Sequence, residues 1–202
     1  MLLFFLKYRM NLEEQSDIVA GTVFIAALLT LPFWAWTSRR WDKSKAYIIG
    51  MVFLCGVIIT LIVINPSWGL AVVLMLAALA GVGVGAVHVL PWSMIPDVVE
   101  VDELATGQRH EGMFYSLVML LRKVASSIAL PLVLLTLDRS GYVSNAAVQT
   151  SSAVRAIQTM TGPVPAVFLL IGVAFALLYP LNRERHAEAR EELARRRALS
   201  GR

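Results

Sequence analysis

The sequence predicts an all-α, polytopic transmembrane helical bundle, and three observations predict it. Of its 202 residues, 57% are hydrophobic and only 16% are charged, where a water-soluble domain carries about 25% charged residues. The apolar residues are gathered into continuous runs, several of about the 20 residues that a helix needs to cross ~30 Å of hydrocarbon. The runs do not alternate with the period of two that marks the ~10-residue strands of a membrane barrel. Backbone groups in lipid must bond within their own segment, so each run is expected to be a helix.

In chain order, residues 1–8 are apolar and aromatic but too few to span. They read either as the outer end of a further helix or as a short terminus lying at the interface. No cleavable signal peptide is expected, because the apolar start at 2–6 is short and has no basic residue before it. The first full run is 18–36. A basic loop follows with Arg39, Arg40, Lys43 and Lys45 and one acid, Asp42. The second run, 46–64, ends at the turn Asn65-Pro66-Ser67. The third, 69–95, is long enough to span with some tilt. An acidic polar segment, 97–111, separates it from the fourth run, 112–137, which is broken only by Arg122 and Lys123. A polar stretch at 138–161, with Gly141, Tyr142 and Asn145, precedes the fifth run at 163–181. Residues 1–181 thus form a bundle and 182–202 a charged tail. Glu191 with Arg195 and Glu192 with Arg196 are spaced to pair along a solvated helix; Arg195, Arg196 and Arg197 also suit contact with anionic lipid.

The net charge is +4, but the basic residues lie between runs and in the tail, which argues for membrane orientation and against nucleic acid as a partner. Five crossings place the loop at 37–45, the segment at 97–111 and the tail on one side. That side holds most of the lysine and arginine, so it and the C-terminus are expected to be cytoplasmic. The single cysteine, Cys55, excludes an intrachain disulfide and reads as a small residue inside an apolar run.

Lys123 is the most informative residue. It lies eleven residues into the fourth run, ~16 Å deep at ~1.5 Å per residue. A charge near the bilayer centre costs ~2.5–3.5 kcal/mol and faces a cavity or a partner, so Lys123 is either a pathway residue or half of a structural ion pair. Arg122 points ~100° away around the helix and is either a second functional charge or a packing charge. His88, in the third run, either lines the pathway or is a satisfied core group. Asp97, Glu100, Glu103, Arg109 and Glu111 sit at the membrane boundary, suited to gating salt bridges; Asp102 and Glu103 also read as a solvated loop. Gly81, Gly83 and Gly85 allow close helix approach, and Pro91 and Pro96 mark kinks. No metal site is expected: His110 and His186 lack ligands at metal spacing. Ser126 and Ser127 lie one turn from Lys123, but nothing near them resembles a hydrolytic site, so the chain is not expected to be an enzyme.

The stretch Leu-Pro-Trp-Ser-Met-Ile-Pro-Asp-Val-Val-Glu at 90–100, with Glu103, Arg109, Glu111, Phe114-Tyr115-Ser116 and Lys123, resembles the glycoside–pentoside–hexuronide:cation symporters of the major facilitator superfamily, which include the melibiose permeases. Part of it is similar to the related sodium-dependent lysophosphatidylcholine symporters. The resemblance implies twelve helices in two six-helix bundles around a central site. On that template the chain is the C-terminal half, five full transmembrane helices plus the end of a sixth, in a bacterial inner or plasma membrane. The N-terminal six-helix bundle, a coupling Na+ or H+ and a small substrate, sugar or glycoside, are the implied partners, with no other cofactor. Lys123 matches a helix lysine near the cation and substrate sites. Tyr115 matches a motif position, and Trp92 and Ser127 join the implied pathway. Asp97, Glu100, Glu103, Arg109, Glu111 and, beside them, Arg122 match a gating charge network. His88 stands where melibiose permeases have tryptophan, which sets this chain apart at a sugar contact.

Overall fold

A computed structural model describes residues 1–144, 146, 148–179 and 183–200, without the side chains of 183–186, 197, 199 and 200. Asn145, the end of the fifth run at 180–181, and the start of the tail at Asn182 lie outside the described residues, as do the side chains of Arg183, Arg185, His186 and Arg197. Most of the described residues are helical: α1 (Leu2–Tyr8), α2 (Ser16–Arg40), α3 (Lys43–Val63), a 3₁₀ turn (Pro66–Trp68), α4 (Gly69–Thr106), α5 (Glu111–Arg139), α6 (Ser151–Thr161), α7 (Pro163–Leu177) and α8 (Arg183–Ser200). No strand occurs among the described residues. Five stretches are long and apolar enough to cross a membrane: α2, α3, α4 with its leading turn, α5, and α6 with α7.

Helix α4 is the axis of the packing. Gly81 and Gly85, one turn apart, face α2: a Cβ on Gly81 would stand 2.4 Å from the Val23 carbonyl oxygen and one on Gly85 2.9 Å from Thr30 Oγ1. Gly83 faces α3, where a Cβ would meet Leu54 Cβ at 2.7 Å, and Gly50 of α3 approaches Ala86 more closely still. Small residues at these positions replace the hydrophobic driving force that lipid cannot supply, by maximising contact between backbones. Trp34 of α2 adds a specific tie, donating from Nε1 to the Val82 carbonyl at 2.8 Å. A second cluster at the opposite end joins α1 to the bundle through Phe5, Leu6, Val19, Ile64, Val73 and Ile157. Tyr142 closes it, edge-on to Phe4 and Tyr8 at 5.5 and 5.9 Å.

Helix α4 also runs beyond the third apolar run. The segment 97–106 is its last turns, so Asp97, Glu100, Asp102 and Glu103 stand on a helix rather than in a connection. Neither Pro91 nor Pro96 ends it. Prolines persist in membrane helices where side chains and neighbours satisfy nearby backbone groups; here Ser93 Oγ donates to the Leu90 carbonyl and Lys43 Nζ to the Ser93 carbonyl, both at 2.7 Å. The stop is Gly107, at φ +75°, whose N–H returns to the Glu103 carbonyl, the left-handed cap that glycine adopts without strain.

Two further differences follow from packing. Residues 151–161, read from sequence as polar connection, form α6, with Ala153 and Ile157 buried on one face. Helix α8 is not wholly solvated: Ala189 and Leu193, one turn apart, are buried, and Arg196 Nη1 donates to the Leu104 carbonyl of α4 at 2.9 Å. Of the tail pairs read from spacing, Glu192 and Arg196 meet at 2.9 Å.

The tight seam predicts a sharp contrast between two glycines. Gly81→Ala forces α2 and α4 apart and is expected to destabilise the bundle by ~1–3 kcal/mol, as overpacking does. Gly21→Ala, with nothing within 4 Å of its Cβ, is expected to be neutral. Thermal denaturation of the detergent-purified variants measures both.

Candidate functional site

The residues singled out from sequence separate into two groups. The first lies where α4 ends. Asp97 is buried, and its carboxylate accepts from Lys43 Nζ at 2.7 Å. Lys43 is the first residue of α3, fifty-four positions away, so the pair pins the α3 N-terminus to α4. Lys45 turns instead to Asp42 at 2.8 Å. Glu100 faces Arg190 of α8 at 3.8 Å. Arg109 lies between Glu103 at 3.8 Å and Glu111 at 3.0 Å, bridging the ends of α4 and α5. His110 Nδ1 meets an Asp102 carboxylate oxygen at 2.7 Å. Tyr179, past the end of α7, has a buried hydroxyl without a hydrogen-bond partner among the described residues. Its pKa is pushed up to about 12, by burial first and then by the Asp97 charge.

The second group lies along the contact between the middle of α4 and the first half of α5. His88 and Trp92 are one turn apart on α4 and so share a face. Tyr115 of α5 stacks on Trp92 with ring centroids 6.1 Å apart and planes 13° apart. Arg122 reaches the same indole, its guanidinium carbon 5.6 Å from the ring centroid. His88, Trp92 and Arg122 line one cleft of about 230 Å³ with Val87, Pro91, Ile95 and Val118. Arg122 was grouped from sequence with the charges at the end of α4; its guanidinium is seated on the Trp92 indole. A larger cleft, about 470 Å³, lies on the other side of the same contact, sharing Pro91, Ile95 and Val118 and walled by Tyr47, Met94, Phe114, Phe175 and Tyr179. Its lining is almost wholly apolar.

Lys123 and Ser127 are not drawn into either cleft. Both are exposed, and Lys123 has no ion-pair or hydrogen-bond partner among the described residues. The reason is that α5 is barely covered: Leu137 is its one buried residue among those described. Sequence reasoning missed Lys43, Tyr179 and Arg190. Each gains its place through a contact between distant helices, and local spacing carries no sign of that.

Residues 1–183 match the family described as MFS/sugar transport protein. An uncharacterized symporter of Synechocystis is 40% identical over 189 residues, covering 91% of this chain and 35% of the relative. A sodium-dependent lysophosphatidylcholine symporter 1-A of Danio rerio is 31% identical over 191 residues, covering 94% and 36%. A sphingosine-1-phosphate transporter of Xenopus tropicalis is 30% identical over 186 residues, covering 91% and 36%. The chain thus spans about a third of the length of the curated relatives it matches.

The ion pairs differ in burial, and the difference is measurable. A double-mutant cycle on Lys43→Ala and Asp97→Ala is expected to give a coupling of ~1–3 kcal/mol, within the range for contacting residues. The same cycle on Arg190 and Glu100, where the arginine side chain is 67% exposed, is expected to give about 0.5 kcal/mol or less.

Proposed function

The chain belongs to the MFS/sugar transport protein family, and from that premise we propose that it is the C-terminal bundle of a cation-coupled symporter. One observation carries the reading. Within 18–38, 46–64, 69–96, 112–137 and 163–177 the charged residues are Arg122 and Lys123, with no carboxylate among them. Two cations at that depth in a helix with almost no buried side chain require water or an opposing polar surface. A second bundle, from the part of the relatives that this chain does not span, supplies both: a water-filled pathway at the midplane, closed alternately by one bundle rocking against the other.

On this reading Lys123 faces carboxylates of the opposite bundle, and cation or substrate binding competes with that pair. Coupling requires the cation to bind the inward- and outward-facing states unequally. Sodium is the favoured cation, since relatives carry it in their names. The charge pairs at the end of α4 act as the gate on one side of the membrane. That side is cytoplasmic, in a plasma or bacterial inner membrane, because Arg39, Arg40, Lys43, Lys45, Arg109, Arg190, Arg195 and Arg196 gather there. A non-transporting scaffold would have no use for an uncompensated cation pair in mid-helix.

The sequence by itself favoured a sugar or glycoside. A lysolipid is the second reading, and the 470 Å³ apolar cleft beside the α4–α5 contact favours it: a sugar needs a dense set of hydrogen-bonding groups, whereas an acyl tail needs walls of this kind. Two relatives are named for phosphate-bearing lipids of that class.

The test uses the full-length protein in proteoliposomes. Lys123→Leu is expected to lower sodium-driven uptake of lysophosphatidylcholine, or of a glycoside, by at least about tenfold, with membrane insertion unchanged. Wild-type uptake in that variant would refute the assignment.

A further inference from the structure

We propose that Arg122, backed by Trp92 and accompanied by His88, is a receptor for an oxyanion carried by the transported substrate. The inference rests on the symporter reading for its location in the pathway, but its chemistry stands on the cleft itself. Arg122 and Lys123 are adjacent and both exposed, but they meet different surroundings. Lys123 lines no described cleft, whereas Arg122 projects onto the indole of Trp92 and lines the 230 Å³ cleft between α4 and α5. It lies ~17 Å along α5 from Glu111, and His88 stands at the centre of the 38-residue α4, ~28 Å from Gly69, at ~1.5 Å per residue.

An arginine at such a depth needs compensation, and the aromatic contact supplies only part of it. The ring attracts the guanidinium through its π face, but it accepts none of the N–H groups as a carboxylate would. Those donors form a planar fork matched to two oxygens of a carboxylate or phosphate. Arg122 has no ion-pair or hydrogen-bond partner among the described residues. The nearest acids of α4 and α5 are committed: Asp97 to Lys43 and Glu111 to Arg109. The imidazole of His88 adds a second polar group to the same wall. A cleft with an imidazole, a guanidinium, an indole backing and no carboxylate has the composition of an anion site.

The position also suits a substrate of two parts. Arg122 stands on one side of the α4–α5 contact and the large apolar cleft on the other, with Pro91, Ile95 and Val118 common to both. A substrate with a charged head and an apolar body would satisfy both walls. The shared chemistry is an oxyanion, which a phosphate-bearing lysolipid or a carboxylate-bearing glycoside each supplies.

Two matched probe pairs separate these sources in the full-length protein: oleoyl lysophosphatidate against mono-oleoylglycerol, and p-nitrophenyl β-glucuronide against p-nitrophenyl β-glucoside. Equilibrium binding is measured by titration calorimetry in detergent. In at least one pair the charged member is expected to bind about tenfold or more tightly than the neutral one, the scale of a charge-assisted hydrogen bond. Arg122→Gln is expected to abolish that preference while changing neutral-probe affinity by less than about twofold, and Arg122→Lys to keep part of it. Lack of preference in both pairs, lack of binding by both charged probes, or equal weakening of charged and neutral probes in Arg122→Gln would overturn the proposal. The wild-type comparison stands even if the glutamine variant does not fold. Charge-selective binding without sodium-driven uptake would leave the receptor standing and remove the symporter reading instead.

Discussion

The close approach of α4 to its neighbours is the constraint on which the rest of the bundle depends. Lipid gives apolar surfaces no reason to leave it, so these helices gain from packing only where backbones come near enough for dense contact. Gly81, Gly83, Gly85 and Gly50 create that nearness, and Trp34 fixes it in register through the Val82 carbonyl. Because α2 and α3 are both seated on α4, the polar residues further along α4 have defined partners. Lys43 reaches Asp97 only because α3 begins beside the place where α4 carries that acid.

The charges are sorted by depth. The acids of α4 and α5 lie toward the helix ends, where bases of α3, of the α4–α5 connection and of α8 meet them. The middle of the bundle carries positive charge alone. This asymmetry separates two roles that a mobile transporter keeps apart. Ion pairs near water exchange partners at modest cost, which suits contacts that form and break as a gate. A cation at mid-depth is far more costly to leave unanswered, which suits a residue whose partner is delivered by a ligand or by an opposing bundle.

Helix α5 joins the two roles. Its first turn sits beside Arg109, its middle carries Arg122 and Lys123, and its contact with α4 is the stacked pair Trp92 and Tyr115. Little of its surface is buried among the described residues, and the two clefts open beside its contact with α4.

The helical class and the five helices of spanning length were legible because lipid enforces them locally: apolar length depends on the residues of one segment. The glycine seam was legible in kind, since small residues in a membrane helix have few other uses, but not in which neighbour each glycine meets. Beyond that, segments were coupled, and local reading stopped short. That α4 continues through Pro91 and Pro96 to Gly107, that α8 lays Ala189 and Leu193 on the bundle, and that Asp97 belongs to Lys43 were decided by contacts between residues far apart in the chain. The same holds for Arg122. Its charge and its position in an apolar run were written in the sequence, whereas its place on Trp92 was set by how α5 leans on α4, a matter of tertiary geometry.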